Sequence, residues 1–195
     1  ARRSWVAIWP NPLARLAIVA MAVSQMAMVA VMTMTPLHMR DHGQADLSTL
    51  VISAHVLGMF GLSPLIGRWA DKLGRIRTII IGAGILGLGT IASVAAGYIP
   101  ILMFAGLFML GLGWSFALIA GSALLTESLP LSERVGAQGL ADVAMSVLGA
   151  VAAFSSGFVK ETAGFHWLAN FATIAALLLV VAAVSAGRRT PAPVG

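Results

Sequence analysis

The sequence contains no cysteine, which excludes a disulfide framework and a thiolate metal site. Charged residues are also scarce, making up 10% of the 195 residues, against about 25% in a typical soluble domain. Hydrophobic residues make up 59%, and the mean hydropathy is +0.94. These values exclude an ordinary soluble domain and predict that lipid is the solvent for most of the chain.

The few basic residues lie at the ends of apolar runs and form no continuous basic face. The formal charge of +5 therefore does not indicate nucleic-acid binding, and we interpret these residues as topology signals in a lipid bilayer. The chain begins at Ala1, and no short apolar core with a small-residue cleavage site comes first. A secretory signal peptide is not expected, and the chain is expected to be part of a longer polypeptide.

Six apolar runs are long enough to cross a membrane, which takes about 20 residues. The 49 uncharged residues between Arg77 and Glu127 are too many for one crossing, and we divide them at Gly97 to Pro100. Ser132 is the expected N-cap of the fifth span. The sequence thus predicts an all-α membrane protein with an interfacial segment at 1–12, spans at 13–35, 47–67, 78–97, 101–126, 133–159 and 167–187, and a tail at 188–195.

Six crossings place both termini on one side of the membrane. Ten of the twelve Lys and Arg residues fall on that side, while Arg40 and Lys160 fall on the other. Because basic residues accumulate in cytoplasmic loops, this distribution predicts cytoplasmic termini. The expected location is the inner membrane of a bacterial cell.

The stretch Gly67–Arg77 carries four of the twelve basic residues. It has the order Gly, three residues, Asp, Lys, one residue, Gly, Arg, one residue, Arg, and six residues separate Glu127 from Arg134 at the next loop on that side. Together these patterns resemble the major facilitator superfamily, in which they follow the second and fourth helices of a six-helix bundle. Two departures are Ile76, where the family often has a third basic residue, and span five, which lacks the Gly-Pro and paired glycines of drug–proton antiporters.

The resemblance implies two inverted three-helix repeats, which form half of a twelve-helix transporter. It also implies alternating access to a small organic solute bound at the midplane, between this half and a second six-helix half. We therefore expect the C-terminal half of a secondary active transporter. Pairing with a separate chain, and a non-transporting scaffold or accessory subunit, are the alternatives. No enzyme or cofactor is expected, because no nucleophile with an adjacent base, metal cluster or pair of catalytic carboxylates stands out.

The charged stretch is predicted to form a gating network on the cytoplasmic side. Gly67 is expected to allow close helix approach, and Gly74 a tight turn. Asp71 is expected to cap the N-terminus of a facing helix, where the macrodipole favours an anion. Arg75 and Arg77 are expected to meet the end of the fourth span. The predicted network comprises Gly67, Asp71, Lys72, Gly74, Arg75, Arg77, Glu127 and Arg134.

Polar residues inside the apolar spans are the candidates for binding a solute or a proton. Asp142 lies about nine residues into span five, or roughly 13 Å along a helix. A carboxylate at that depth either has a structural partner or carries a proton during transport. His55 either relays protons or only bonds to a neighbouring helix. The residues predicted to line a cavity are Gln25, His55, Trp114, Ser115 and Ser122.

Two further patterns have simpler explanations than a ligand site. Gly82-Ala-Gly84-Ile-Leu-Gly87 matches a dinucleotide-binding string, but it lies in an apolar span, where helix packing explains it better. His38, Asp41 and His42 lack a fourth ligand, so a solvated loop is favoured over a metal site. Small residues also repeat at four-residue steps in three ladders, which we expect to let helix backbones approach closely: Gly89, Ser93 and Gly97; Gly113, Ala117 and Gly121; Gly149, Ala153 and Gly157.

Overall fold

A computed structural model describes residues 6–96 and 99–189, without the side chain of Arg189. The basic residues Arg2 and Arg3, the first half of the turn at Gly97 to Pro100 and the end of the tail therefore lie outside the described residues. The helices are α1 (Pro12–Asp41), α2 (Ser48–Phe60), α3 (Ser63–Leu73), α4 (Arg75–Ala95), α5 (Pro100–Glu127), α6 (Leu131–Ala163) and α7 (Phe165–Arg189), with a 3-10 turn at Ala45–Leu47.

Six segments of the described chain are long and apolar enough to span a membrane, which confirms the all-α, six-span prediction. Several predicted ends are wrong. The first span continues through Pro36 to Asp41, because His38 and Met39 are buried and packing holds the last turns together. The fifth span begins at Leu131 with Pro130 at the N-cap position, so Ser132 is not the cap, and it ends at Ala163.

The second span consists of two helices that are interrupted at Gly61 and Leu62. Pro64 lies in the first turn of α3, where its missing N–H removes no helical hydrogen bond. Helix α3 continues to Leu73, six residues beyond the predicted end of the span. Most of the charged stretch is therefore helical, and the turn is confined to Gly74, whose φ of 88° favours glycine.

The first three spans and the second three spans of the chain make matching contacts with each other. Helix α2, in the first three spans, lies mainly against α5, which is the first span of the second three. Helix α6, in the second three spans, lies mainly against α1, which is the first span of the first three. The first unit crosses the membrane three times, so the second unit begins on the opposite side. The two units therefore run through the membrane in opposite directions. This arrangement agrees with two inverted three-helix repeats.

Helices α4 and α5 cross with their backbones nearly in contact. A Cβ atom built on Gly113 would lie 2.5 Å from the backbone nitrogen of Leu86, and one on Gly89 would lie 2.6 Å from that of Leu110. A Cβ atom on Gly82 would lie 2.5 Å from Cβ of Phe116. The glycines of the dinucleotide-like string thus lie in a helix–helix contact or, at Gly84, face open space.

The ladder in the fifth span behaves differently from the other two. A Cβ atom on Gly149 would touch Gln25 at an ordinary 3.4 Å, and one on Gly157 would meet nothing within 4 Å. Helix α6 also leaves large apolar side chains exposed, and Phe154 is 89% exposed. The packing role predicted for this ladder is therefore wrong at Gly157 within this bundle.

Candidate functional site

Three charged side chains converge at the end of the bundle where Pro12 and Arg189 lie, here called the terminal end. The Gly74 turn directs Arg75, the first residue of α4, between the ends of α3 and α5. Its Nη2 atom lies 2.7 Å from Glu127 Oε1, its Nε atom donates to the same carboxylate, and its Nη1 atom lies 2.6 Å from Asp71 Oδ1. This charge cluster of Asp71, Arg75 and Glu127 joins three helices.

The three side chains of the charge cluster differ in their exposure to solvent. The Arg75 side chain is only 20% exposed, whereas those of Glu127 and Asp71 are 53% and 67% exposed. The guanidinium thus lies at the centre of the cluster, shielded from solvent, and the two carboxylates lie around it and are more exposed. Because a bidentate contact fixes geometry as well as charge, the pair with Glu127 is the more specific of the two.

Several parts of the predicted gating network lie outside this cluster. Asp71 does not cap a facing helix, because Arg75, four residues later, already pairs with it. A Cβ atom on Gly67 would meet nothing within 4 Å, so close approach within this bundle does not require glycine there. Arg134 donates to the carbonyl of Leu129 at 3.1 Å instead of pairing with Glu127. For the exposed residues Lys72 and Arg77, no ion pair is found among residues 6–96 and 99–189.

A polar cluster lies at the middle of the membrane-spanning helices, where α1, α2, α3 and α5 meet. Trp114 Nε1 donates to Gln25 Oε1 at 2.6 Å. The indole ring of Trp114 also stands edge-on to Phe60, with centroids 6.0 Å apart. Beside it, the hydroxyl oxygens of Ser115 and Ser63 lie 3.5 Å apart. The structure therefore brings three predicted cavity residues, Gln25, Trp114 and Ser115, to one place.

His55 is fully buried at the crossing of α2 and α5. Its Nδ1 atom lies 2.8 Å from the carbonyl oxygen of Leu107, and no hydrogen-bond partner for Nε2 is found among the residues that the structure describes. A Cβ atom on Gly111 would lie 2.3 Å from the carbonyl oxygen of His55, so the two backbones are in close contact there. His55 is thus placed between two helices and does not line an open cavity within this bundle.

Asp142 belongs to a second polar network, which joins α5 and α6. Ser122 Oγ donates to Gln138 Oε1 at 2.9 Å, and Gln138 Nε2 donates to Asp142 Oδ1 at 3.0 Å. Asp142 has no ion-pair partner in the described part of the chain. Gln138 is not among the site residues predicted above, although polar side chains recur every fourth residue in this helix: Arg134, Gln138, Asp142 and Ser146.

At the opposite end of the bundle, Lys160 Nζ donates to Asp41 Oδ2 and joins the ends of α6 and α1. His38 is buried and stacks on Phe165, with ring centroids 4.2 Å apart. His38 and Asp41 are thus helical and engaged in packing or pairing, not parts of a solvated loop. Within the residues that the structure describes, no group of three His, Cys, Asp or Glu side chains is placed to hold a metal ion.

Six membrane-length segments of the described chain, a charge cluster at one end and polar clusters within the bundle define a polytopic α-helical membrane protein. The chain belongs to the Major Facilitator Superfamily, whose family profile it matches over residues 16–195. This match confirms the resemblance that the charged patterns suggested.

Known relatives with transporter names match most of this chain. It is 40% identical to the uncharacterized MFS-type transporter YdeG of Bacillus subtilis over 86% of this chain and 40% of that protein. It is 33% identical to the riboflavin transporter RfnT of Brucella anthropi over 85% of this chain and 42% of that protein. It is 27% identical to multidrug resistance protein 2 of Bacillus subtilis over 69% of this chain and 33% of that protein. The chain thus spans about two fifths of the length of YdeG and of RfnT.

Proposed function

We propose that this chain forms one half of a secondary active transporter that moves a small organic solute by alternating access. The observation that carries the proposal is the charge cluster of Asp71, Arg75 and Glu127, which holds three helix ends together at one side of the membrane. Ion pairs between helix ends form and break at little net free energy when they are partly exposed, as these are. A family of transporters and relatives with transporter names support the same conclusion.

The terminal end of the bundle is assigned to the cytoplasm. Arg68, Lys72 and Arg77 lie at that end in addition to the charge cluster, whereas Lys160 lies at the opposite end, where it is paired with Asp41. The excess of basic residues supports this orientation. In a bacterial cell the charge cluster then lies on the cytoplasmic side of the inner membrane.

The second six-helix half covers the sides of α2 and α6 that this bundle leaves open. These helices are the least buried of the spans, and they expose Leu57 and Phe60 on α2 and Val147 and Phe154 on α6. The solute site lies between the halves, beside the polar cluster of Gln25, Trp114 and Ser115. A broad indole and a glutamine amide together suit a solute with an apolar ring and hydrogen-bonding groups.

Solute counterflow tests the proposed function directly. The protein is reconstituted with its second half in liposomes loaded with an unlabelled solute, and uptake of the labelled solute is measured for a panel that includes riboflavin, nucleosides, amino acids and organic cations. We expect counterflow of at least one solute, together with competition among its structural analogues. Trp114→Phe is expected to weaken binding, because it removes the donor to Gln25 and leaves an aromatic ring.

The alternative is a scaffold subunit that has lost transport. Absence of counterflow across the panel, combined with co-purification of a fixed protein partner and no solute-dependent thermal shift, would establish the scaffold instead. The two outcomes are distinct, because a scaffold has no reason to exchange any solute across a membrane.

Loss of the Arg75 cation is expected to weaken the closed arrangement of the cytoplasmic side. Arg75→Gln removes both ion pairs, which together stabilise the cluster by about 1 kcal/mol and so shift the equilibrium toward the cytoplasm-open state about fivefold. Glu127→Gln should have a smaller effect and Asp71→Asn the smallest, because the Asp71 carboxylate is the most exposed of the three. Turnover should slow while the order of competing solutes stays the same.

Lys72→Gln is the matched control, because Lys72 is an exposed cation near the cluster with no ion pair among the described residues. The equilibrium can be followed through the reactivity of a single cysteine placed at Ser128, since this chain has no other cysteine. Equal effects of Lys72→Gln and Arg75→Gln would show that net charge, not the cluster, controls the equilibrium.

A further inference from the structure

The hydroxyl of Ser122 bonds to a neighbouring helix. By contrast, Ser93, Thr78 and Thr35 each donate to the carbonyl oxygen four residues earlier in their own helix. Ser122 instead donates across to Gln138 on the next helix. The carbonyl of Leu118, its own internal acceptor, remains within reach by rotation of the side chain. Ser122 thus has a second acceptor available without any movement of the backbone.

Gln138 stands between this hydroxyl and the Asp142 carboxylate, with one end of its amide turned to each. Its oxygen accepts from Ser122, and its nitrogen donates to Asp142, four residues later in α6. An ionised carboxylate can only accept hydrogen bonds, so this orientation fits ionised Asp142. The amide oxygen and nitrogen have nearly the same size, and reversal of the amide changes the bonding without changing the packing.

We infer that Gln138 and Ser122 are positioning residues that transmit the protonation state of Asp142 to α5 through reversal of the Gln138 amide. The inference rests on the proposed transport function and extends it from the carboxylate to its two partners. When hydronium gives a proton to Asp142 and leaves as water, the new O–H donates to Gln138 Oε1. Gln138 Nε2 then donates to Ser122 Oγ, and the Ser122 hydroxyl hydrogen turns to the Leu118 carbonyl. In both states the Ser122 hydroxyl and one N–H of the Gln138 amide have an acceptor.

The other end of this route is the charge cluster. Thr126 Oγ1 donates to the carbonyl oxygen of Ser122, and Glu127 is the next residue. Ser122 lies five residues before Glu127, or about 7.5 Å along the helix. A change in the bonding of Ser122 therefore occurs within two turns of the carboxylate that holds Arg75. The inference therefore predicts that protonation of Asp142 affects the charge cluster through this short segment of α5.

No other charged group competes for Asp142 in the described part of the chain. Within its own helix, Arg134 donates to the carbonyl of Leu129. Gln138 is accordingly the only described side chain bonded to this carboxylate. The charged groups in the terminal half of the helices that pack against α6 are Arg15 on α1, Glu127 on α5 and Arg188 on α7, with Glu133 and Arg134 on α6 itself.

Infrared difference spectroscopy tests the inference without a solute. The protein, with its second half and with isotope-labelled glutamine side chains, is brought from alkaline to acidic pH in lipid nanodiscs. We expect a carboxylic-acid band to appear together with a shift of one glutamine amide band. Asp142→Asn should remove both signals, whereas Gln138→Met should remove the amide signal alone. Ser122→Ala removes one hydrogen bond from each of the two amide orientations, so both signals are expected to persist.

Transport provides the second readout. Ser122→Ala is expected to reduce the change in solute uptake between alkaline and acidic pH about fivefold, with an unchanged KM for the solute. Ser122→Thr is expected to restore the pH dependence. Ser146→Ala is the matched control, because its hydroxyl donates to the backbone oxygen of Asp142 and not to the carboxylate.

The possible failures are distinguishable. A carboxylic-acid band that appears in acid without any glutamine amide shift overturns the relay and leaves proton coupling intact. Normal pH dependence of uptake in both Ser122→Ala and Gln138→Met also overturns the relay and leaves proton coupling intact. Absence of the carboxylic-acid band, with counterflow present, overturns the relay together with the proton role of Asp142, while the transport function stands.

Discussion

Gly113→Ala is expected to prevent α4 and α5 from packing as they do, whereas Gly84→Ala in the same pair of helices is expected to have almost no effect. The new methyl group at position 113 would lie 2.5 Å from the nitrogen and 2.7 Å from the Cα atom of Leu86. Both are backbone atoms, which cannot turn aside as a flexible side chain can. The helices would have to move apart and lose the contacts around Gly82 and Phe116.

The expected loss of stability is at least about 3 kcal/mol, the upper range for an overpacked core. For a chain of this size, that corresponds to a fall in the unfolding temperature of roughly 6–12 °C. At Gly84 the added methyl group meets nothing within 4 Å, and alanine favours the helix over glycine by up to about 1 kcal/mol. Thermal unfolding of the two variants in the same detergent measures the difference. Similar unfolding temperatures would show that the α4–α5 contact does not stabilise the fold.

Asp142→Asn is expected to abolish pH-driven accumulation of the solute while solute exchange continues. The asparagine has the shape of the aspartate, and its oxygen can still accept from Gln138 Nε2, so the fold should be retained. It cannot take up a proton, however, and a transporter that uses this group for coupling would lose the connection between proton flow and solute flow. Exchange under counterflow conditions requires no net proton movement and should therefore persist.

The measurement compares two assays on the same liposomes. Uptake driven by an imposed pH gradient should fall to the level of protein-free liposomes, and counterflow should stay within about twofold of the original protein, the scatter expected for a change of less than 0.5 kcal/mol. Asp142→Glu is the matched control, because it retains a proton-carrying group one methylene farther from the backbone. Uptake with unchanged pH dependence in Asp142→Asn would assign Asp142 a structural role only.

Part of the site follows from local sequence. The positive φ at Gly74 and the position of Arg75 after it are local properties, which a glycine-bracketed charged stretch predicts well. The pairing of Arg75 with Glu127 was also expected, because both residues lie at helix ends on the same side of the membrane. The capping role predicted for Asp71 is wrong. Asp71 pairs with Arg75 instead, because α3 continues as far as Leu73 before the turn.

The partners of the buried polar residues could not be found in this way. Gln25 and Trp114 are 89 residues apart in the sequence, and only the crossing of α1 and α5 brings them to 2.6 Å. Gln138 was overlooked because its position between Ser122 and Asp142 depends on the rotation of α6 relative to α5. A polar residue in an apolar helix indicates a buried contact or a cavity, but it does not indicate which helix it faces.

The sequence by itself determined the solvent, the number of spans and the family, because hydropathy is summed over about 20 residues and the charged patterns are local. Only the tertiary structure decided which glycines lie in helix contacts, as Gly113 does and Gly84 does not. Only the tertiary structure also joined Asp142 to Ser122 through Gln138. The physical reason is that helices in lipid associate through packing and specific hydrogen bonds, which depend on rotation and crossing angle and leave little trace in hydropathy.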